Sequence, residues 1–323
     1  MLLVCGGGGI RGKLSTSILR KIQEDLNENL YDVFDYYAGT STGSLITTAI
    51  ANGYSMDYID QSLYDYDNMK NIFSTSFKHY FGKVKYNPQK LYDVVDKHFE
   101  KKKFGEMDKH CIISSYNYTK RTPVFFNNYD EKDQSCFISD LLKCSSAAPT
   151  YFPPYVMDAD EIFIDGAMSC NNPTTIACSM IETIILDKLK CLFVGTGYTN
   201  YPTFAFDEMK DWGIVDWFLK GNITDLMMNG DEETNRLETK SLLGNNYLHL
   251  NCEIVDMSHL ITNFPHLDDK KSITSYITDL FYKRVEINDK IDNIAKKNYN
   301  NLVILGETCY MMNKTTILNF TKI

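Results

Sequence analysis

The 323-residue chain has no run approaching the ~18 uninterrupted apolar residues of a membrane span, so no spanning helix is expected. It has no C-x-x-C pair. Its nine cysteines, at 5, 111, 136, 144, 170, 178, 191, 252 and 309, are odd in number and scattered. That pattern argues against a disulfide framework and a zinc site, and favours reduced thiols in a cytoplasmic protein. Positive charge is also short. Lys and Arg number 33 against 42 Asp and Glu, a net charge of −9, which excludes general affinity for nucleic acid and avid electrostatic capture by anionic lipid. One basic run, Lys97–Lys103, reads as a solvated helix end, with a salt-sensitive membrane patch as the alternative. The six histidines, at 79, 98, 110, 249, 259 and 266, show no metal-ligand spacing, and no Ca²⁺ loop is present. No linker, internal repeat or low-complexity segment divides the chain, so one domain over 1–323 is expected. The first residues enter a glycine loop after Cys5, which reads as a strand and not as a signal sequence.

What is present is organised around Gly39-Thr40-Ser41-Thr42-Gly43. A strand-like stretch, 34–38, precedes it and an apolar helical run, 44–53, follows. Strand, G-x-S-x-G turn and helix make a nucleophile elbow. Gly39 and Gly43 remove Cβ atoms that would collide in so tight a turn. Ser41 would then stand at a helix N-terminus, where unpaired N–H groups favour developing negative charge. Alone, the pattern also fits an ordinary Gly/Ser/Thr turn.

The second stretch is Leu2–Cys5, a buried-type strand, followed by Gly6-Gly7-Gly8-Gly9-Ile10-Arg11-Gly12 and a helix over about 14–27. Gly7, Gly9 and Gly12 fit a dinucleotide fingerprint, with Asp32 at the distance of a ribose-binding acid. The loop also fits most of a P-loop, except that Leu14 stands where a Ser or Thr belongs. The third reading is an oxyanion hole. All three aim backbone N–H groups at an anion, and the loop by itself does not choose.

The third stretch is Ile162-Phe163-Ile164-Asp165-Gly166-Ala167, a carboxylate at the end of an apolar strand; a plain Asp-Gly hairpin turn is the competing reading. Strands alternating with helices predict a largely parallel sheet with helices on both faces. In such a sheet the strand ends at Ser41 and Asp165 would converge on one edge. Residues 147–155 hold three prolines and three aromatics, a rigid wall read first as core packing and second as the side of an acyl pocket. The catalytic motifs fall within 6–197, and 198–323 reads as mostly helical, with a charged helix over 273–297 and an amphipathic one at 212–218.

The three stretches, in this order, resemble the patatin-like phospholipase family. Gly7–Gly12 matches its oxyanion loop, Gly39–Gly43 its elbow and Asp165-Gly166-Ala167 its D-G-A/G motif. The likeness continues at 145–153, at Asn171-Asn172-Pro173-Thr174 and at Gly195-Thr196-Gly197. Gly6 replaces a frequent Asp, Ser44 a frequent Gly, and His249 stands where Arg is expected. The resemblance implies a three-layer α/β/α fold and a lipid acyl hydrolase acting on phospholipid or galactolipid esters. It implies a Ser41–Asp165 dyad without histidine, and oxyanion donors from the loop of Gly7, Gly8, Gly9 and Gly12. Arg11, Gly39, Gly43 and Gly166 would support them. It implies no metal or cofactor, and a membrane lipid substrate met by peripheral contact. Three other readings stay open: an α/β-hydrolase triad completed by His249, His259 or His266, a non-catalytic lipid-binding protein, and a nucleotide-binding protein.

Overall fold

The computed structural model describes residues 1–75, 84–99, 101–157, 160–181, 188–199, 203–255, 290 and 292–322. Eight strands form one sheet: β1 (Leu2–Cys5), β2 (Tyr36–Thr40), β3 (His110–Asn117), β4 (Thr122–Asn127), β5 (Tyr155–Met157), β6 (Glu161–Asp165), β7 (Cys191–Val194) and β8 (Tyr247–Leu250). The order is β5-β6-β3-β2-β1-β7-β8, with β4 also paired to β3. The run β3-β2-β1-β7-β8 is parallel throughout, whereas β4, β5 and β6 add antiparallel pairs at one end.

Strand alternation explains the layers. Leu3 and Cys5 of β1 face one apolar cluster, and Leu2 and Val4 face the other; all four are fully buried. The first cluster takes in the helices Gly12–Leu26, Thr42–Ala51 and Lys296–Thr321, the second the helix Thr174–Met180. Helices therefore cover both faces, an α/β/α sandwich with a mostly parallel sheet. Full burial of each such side chain is worth roughly 1.5–3 kcal/mol, so this central strand anchors the loop that follows it.

The helix after that loop buries Leu14, Ile18, Leu19 and Ile22 on one stripe and ends at Asn27, whose left-handed backbone (φ 55) closes it. The helix Lys296–Thr321 crosses it at Gly306, where an added Cβ would lie 2.5 Å from the Leu14 carbonyl oxygen. Only glycine lets the two backbones come so close. Among the described residues no helix is long and apolar enough to cross a membrane. Most of the expected 273–297 helix lies outside the described residues, as do His79, His259 and His266.

Candidate active site

The elbow forms as its glycines require. A Cβ on Gly39 would lie 2.5 Å from the carbonyl of Gly43, and one on Gly43 would lie 2.1 Å from the Cys5 carbonyl oxygen. Ser41 between them has φ 52 and ψ −121, a strained conformation for a non-glycine residue. Surrounding hydrogen bonds hold it there. Ser41 N–H donates to Ser145 Oγ at 2.9 Å. Ser44 Oγ donates to the Ser41 carbonyl at 2.6 Å and reaches Ser145 Oγ at 3.1 Å. The hydroxyl at position 44, where the resembling family often has glycine, thus braces the turn.

Asp165 arrives by a different route from the one expected. β3 has three partners: residues 110–114 pair with β2, 112–117 with β4 and 115–117 with β6. β4 overlaps each of the others along β3, so β2 and β6 must share the opposite edge, end to end. β2 is parallel to β3 and β6 antiparallel, so their C-terminal ends meet head on. Thr40 lies opposite Ser114 and Asp165 opposite Ser115, one residue rise apart. The expectation of two parallel strand ends converging is corrected: an antiparallel strand running into the end of β2 makes the meeting. Gly166 is needed for the exit, since a Cβ there would lie 2.3 Å from Ser114 Oγ and 2.7 Å from its backbone.

The result is a direct hydrogen bond from Ser41 Oγ to Asp165 Oδ2, 2.6 Å long. Asp165 Oδ1 accepts the Ala167 N–H at 2.8 Å. Asp165 is only 3% exposed, and burial pushes its carboxyl from 3.8 up to about 6 against the opposing pull of those two donors. Among the described histidines none bonds either residue. His249 is stacked on Phe193 (4.7 Å) and bonded to Tyr247 Oη, His98 to Tyr58, and His110 to Asn127.

The glycine loop runs beside this pair. Gly8 and Gly9 line the same cavity as Ser41 and Asp165. Neither the Gly8 nor the Gly9 N–H finds an acceptor among the described residues, whereas Gly6 and Gly7 N–H go to Val194 and Asn171 carbonyls. The loop is held from behind. Thr196 Oγ1 donates to the Gly7 carbonyl at 2.8 Å, and a Cβ on Gly8 would lie 2.2 Å from that same Oγ1. Asp231 accepts the Asn171 and Asn172 N–H groups at 2.7 and 3.2 Å, fixing the segment against which Gly7 rests. Gly12 packs on Thr42, joining the loop to the elbow helix. Arg11 points elsewhere: it lines a small adjoining space with Asn171, Asp225 and Glu232, and its buried Nε has no acceptor among the described residues. Asp32 is exposed in the short helix before β2, at the wrong end of that strand to meet a ribose.

A cavity of about 900 Å³ opens over Ser41. Leu45, Leu63, Met69, Ile72, Val95 and Phe152 give it much of its apolar lining. Lys85, Asp225, Asp231, Lys290 and Asp292 add charged groups to the lining, with Lys85 ion-paired to Asp292 and Tyr86 Oη donating to the same carboxylate at 2.6 Å. The 147–155 wall, read first as packing, does both jobs. Phe152 is buried against Tyr86 (5.7 Å) and still faces the cavity alongside Tyr151. The supports from Ser145, Asn171 and Thr196 lie in stretches already singled out; Lys85, Asp231 and Asp292 carried no signal, because a lone charged residue makes no pattern of its own.

A family model described as patatin-like phospholipase matches residues 3–178. Patatin-like protein 2 of Oryza sativa subsp. indica is 22% identical over 354 residues, spanning 95% of this chain and 82% of its own length. Patatin group D-2 of Solanum tuberosum is 26% identical over 259 residues, covering 68% of this chain and 66% of that protein. Human GIVD cytosolic phospholipase A2 superposes with a TM-score of 0.50 at 12% identity, covering 99% of this chain and 60% of the other, which is a likeness of fold.

Proposed function

This chain belongs to the patatin-like phospholipase family, and on that footing we propose that it is a lipid acyl hydrolase working through Ser41 and Asp165. The observation that carries the reading is the 2.6 Å bond between them, in a cavity lined by both apolar and charged side chains. A fatty-acyl chain suits the apolar lining, and the glycerol and head group of a phospholipid or galactolipid suit the charged groups among it. Ser41 Oγ attacks the ester carbonyl as its proton passes to Asp165 Oδ2. The Gly8 and Gly9 N–H groups receive the oxyanion, with the helix Thr42–Ala51 adding its positive end. Asp165 gives the proton to the leaving alcohol, takes one from water as that water attacks the acyl-enzyme, and returns it to Ser41 Oγ as the fatty acid leaves. A carboxylate lifted toward neutral pH is a stronger base than an exposed one, which suits it to a hydroxyl it would scarcely deprotonate in water. Covalent labelling of Ser41 by a fluorophosphonate, with release of fatty acid from phosphatidylcholine, tests the reading. A protein that binds such lipid but neither labels nor turns it over would instead be a binding protein.

The pH profile follows from Asp165. Below about 6 its carboxyl is protonated and cannot accept the serine proton. We expect kcat/KM to rise about tenfold per pH unit on the acid side and to level off above roughly 6. A profile flat from pH 4 to 8, read as about four units of unchanged rate, would remove Asp165 from the chemistry.

Gly8→Ala places a Cβ against Thr196 Oγ1 and turns the loop. An expected fall in kcat of about 10²–10³ with little change in KM would mark the loss of an oxyanion donor. A change confined to KM would assign the loop to substrate binding alone.

A further inference from the structure

Among the described residues, six of the seventeen exposed large apolar side chains fall in the short stretch from Phe204 to Met227. Phe206 and Ile214 are each 78% exposed, Val215 67% and Met227 68%, with Phe204 and Leu226 also open. Single exposed apolar residues are ordinary; a cluster within one short stretch is not. The same stretch reaches the site: Asn222, Met227 and Met228 line the cavity above Ser41, as does the exposed Met168. An aromatic knot holds the cluster in shape. Phe204 packs edge-on to Trp212 (4.9 Å) and Trp212 to Trp217 (5.3 Å). Gly221 fits beneath them, where a Cβ would lie 2.8 Å from Trp217. With Trp217 turned inward, the first turn of the helix Ile214–Leu219 presents Ile214 and Val215 to solvent.

Charge selects the partner. Between 203 and 231 stand six acids, Asp207, Glu208, Asp211, Asp216, Asp225 and Asp231, and two bases, Lys210 and Lys220. Both bases are paired, Lys210 with Asp207 at 3.0 Å and Lys220 with Asp216 at 2.8 Å. Such a face has nothing to offer a polyanion. We propose that residues 204–227 are a docking face for a zwitterionic or uncharged lipid surface, inserting Phe206, Ile214 and Val215 among the head groups and seating the cavity mouth on the bilayer. The proposal rests on the lipid hydrolase reading above. It gives that reading a delivery route, since a lipid lifted from the interface would pass along Met227 and Met228 into the cavity without crossing water.

The chain's only two tryptophans are Trp212 and Trp217, so its indole fluorescence reports on this face alone. Adding vesicles of phosphatidylcholine to the intact protein is expected to shift that emission to the blue. The shift should persist in about 1 M NaCl, where charges are screened within ~3 Å. Phe206→Ser combined with Ile214→Ser should weaken vesicle binding at least about tenfold and lower turnover of vesicle lipid in parallel. Turnover of a soluble short-chain ester should stay unchanged, which also shows that the variant is folded. Val215→Ser alone should give a smaller loss of the same kind. Binding unaffected by these changes would overturn the proposal. So would binding abolished by salt, which would point to the Lys97–Lys103 run, or self-association that the substitutions abolish without any vesicle binding. Should the soluble ester not be turned over by the parent protein, the hydrolase reading fails while the docking measurement still stands by itself.

Discussion

Ser41→Ala is expected to reduce ester turnover by about 10⁴-fold or more while leaving the melting temperature within a few degrees of the parent. The first half follows from chemistry. Removing Oγ leaves Asp165 with a substrate carbonyl but no nucleophile between them, so only binding and oxyanion donors would remain. The second half follows from geometry. Alanine keeps the Cβ and inherits the same backbone at φ 52 and ψ −121, so it neither relieves nor worsens the elbow. The bond it does keep, from N–H 41 to Ser145 Oγ, belongs to the backbone. Ser41→Gly separates the two effects. Glycine tolerates that conformation, so about 1–3 kcal/mol of strain is released, part of it offset by the greater freedom of unfolded glycine. We expect this variant to be as inactive as the alanine one and more stable by about 1 kcal/mol. Thermal unfolding and single-turnover assays on both variants check it. Near-parental turnover in a folded Ser41→Ala protein would place the nucleophile elsewhere.

How far the sequence revealed this site depended on whether the chemistry was local. The elbow is local: its two glycines, the strand before and the helix after all lie within twenty residues, so spacing singled out Ser41, with an ordinary turn as the competing reading. The glycine loop was visible but ambiguous, because oxyanion, pyrophosphate and phosphate sites use the same backbone donors. Position weighs against the dinucleotide reading, since Asp32 sits at the far end of β2 from the loop and Ser41 at the near one. Asp165 was legible as a carboxylate at a strand end. Its path was not, because strand direction depends on pairings across the chain and β6 is set by its register with Ser115–Asn117 of β3. The 147–155 wall fits both of its readings at once, because an aromatic can pack on one face and line a cavity with the other. The salt-linked Lys85–Asp292 pair joins positions more than two hundred residues apart, which no periodicity encodes.

Asp165→Asn is expected to be nearly as damaging to catalysis as Ser41→Ala, by about 10⁴-fold, and yet to make the protein more stable. Asparagine keeps the shape of the side chain, and its Oδ1 still accepts the Ala167 N–H. It cannot take a proton, and its amide would face Ser41 Oγ as a donor where the carboxylate was an acceptor. The stability half rests on the sign of the shift. The native carboxyl sits at about 6, above its ordinary 3.8, so folding favours the protonated form. The ionised group therefore weakens the fold above about pH 6, by an amount on the order of 2–3 kcal/mol. That penalty fades as pH falls through 6 toward 4. Asparagine carries no charge to bury, so its advantage should be largest near pH 8 and small near pH 4, which chemical denaturation at the two pH values measures. A group kept in place against its own stability is what a base at the reacting atoms requires. The histidine variants complete the argument. A triad would also be crippled by losing its aspartate, so the aspartate result alone cannot separate the schemes. His249→Ala, His259→Ala and His266→Ala are each expected to retain activity, His249 because its ring is committed to Phe193 and Tyr247. A folded but inactive histidine variant would replace the dyad with a triad. Full activity in Asp165→Asn would leave Ser41 without its base, and Asp231, which also lines the cavity, would be the next carboxylate to change.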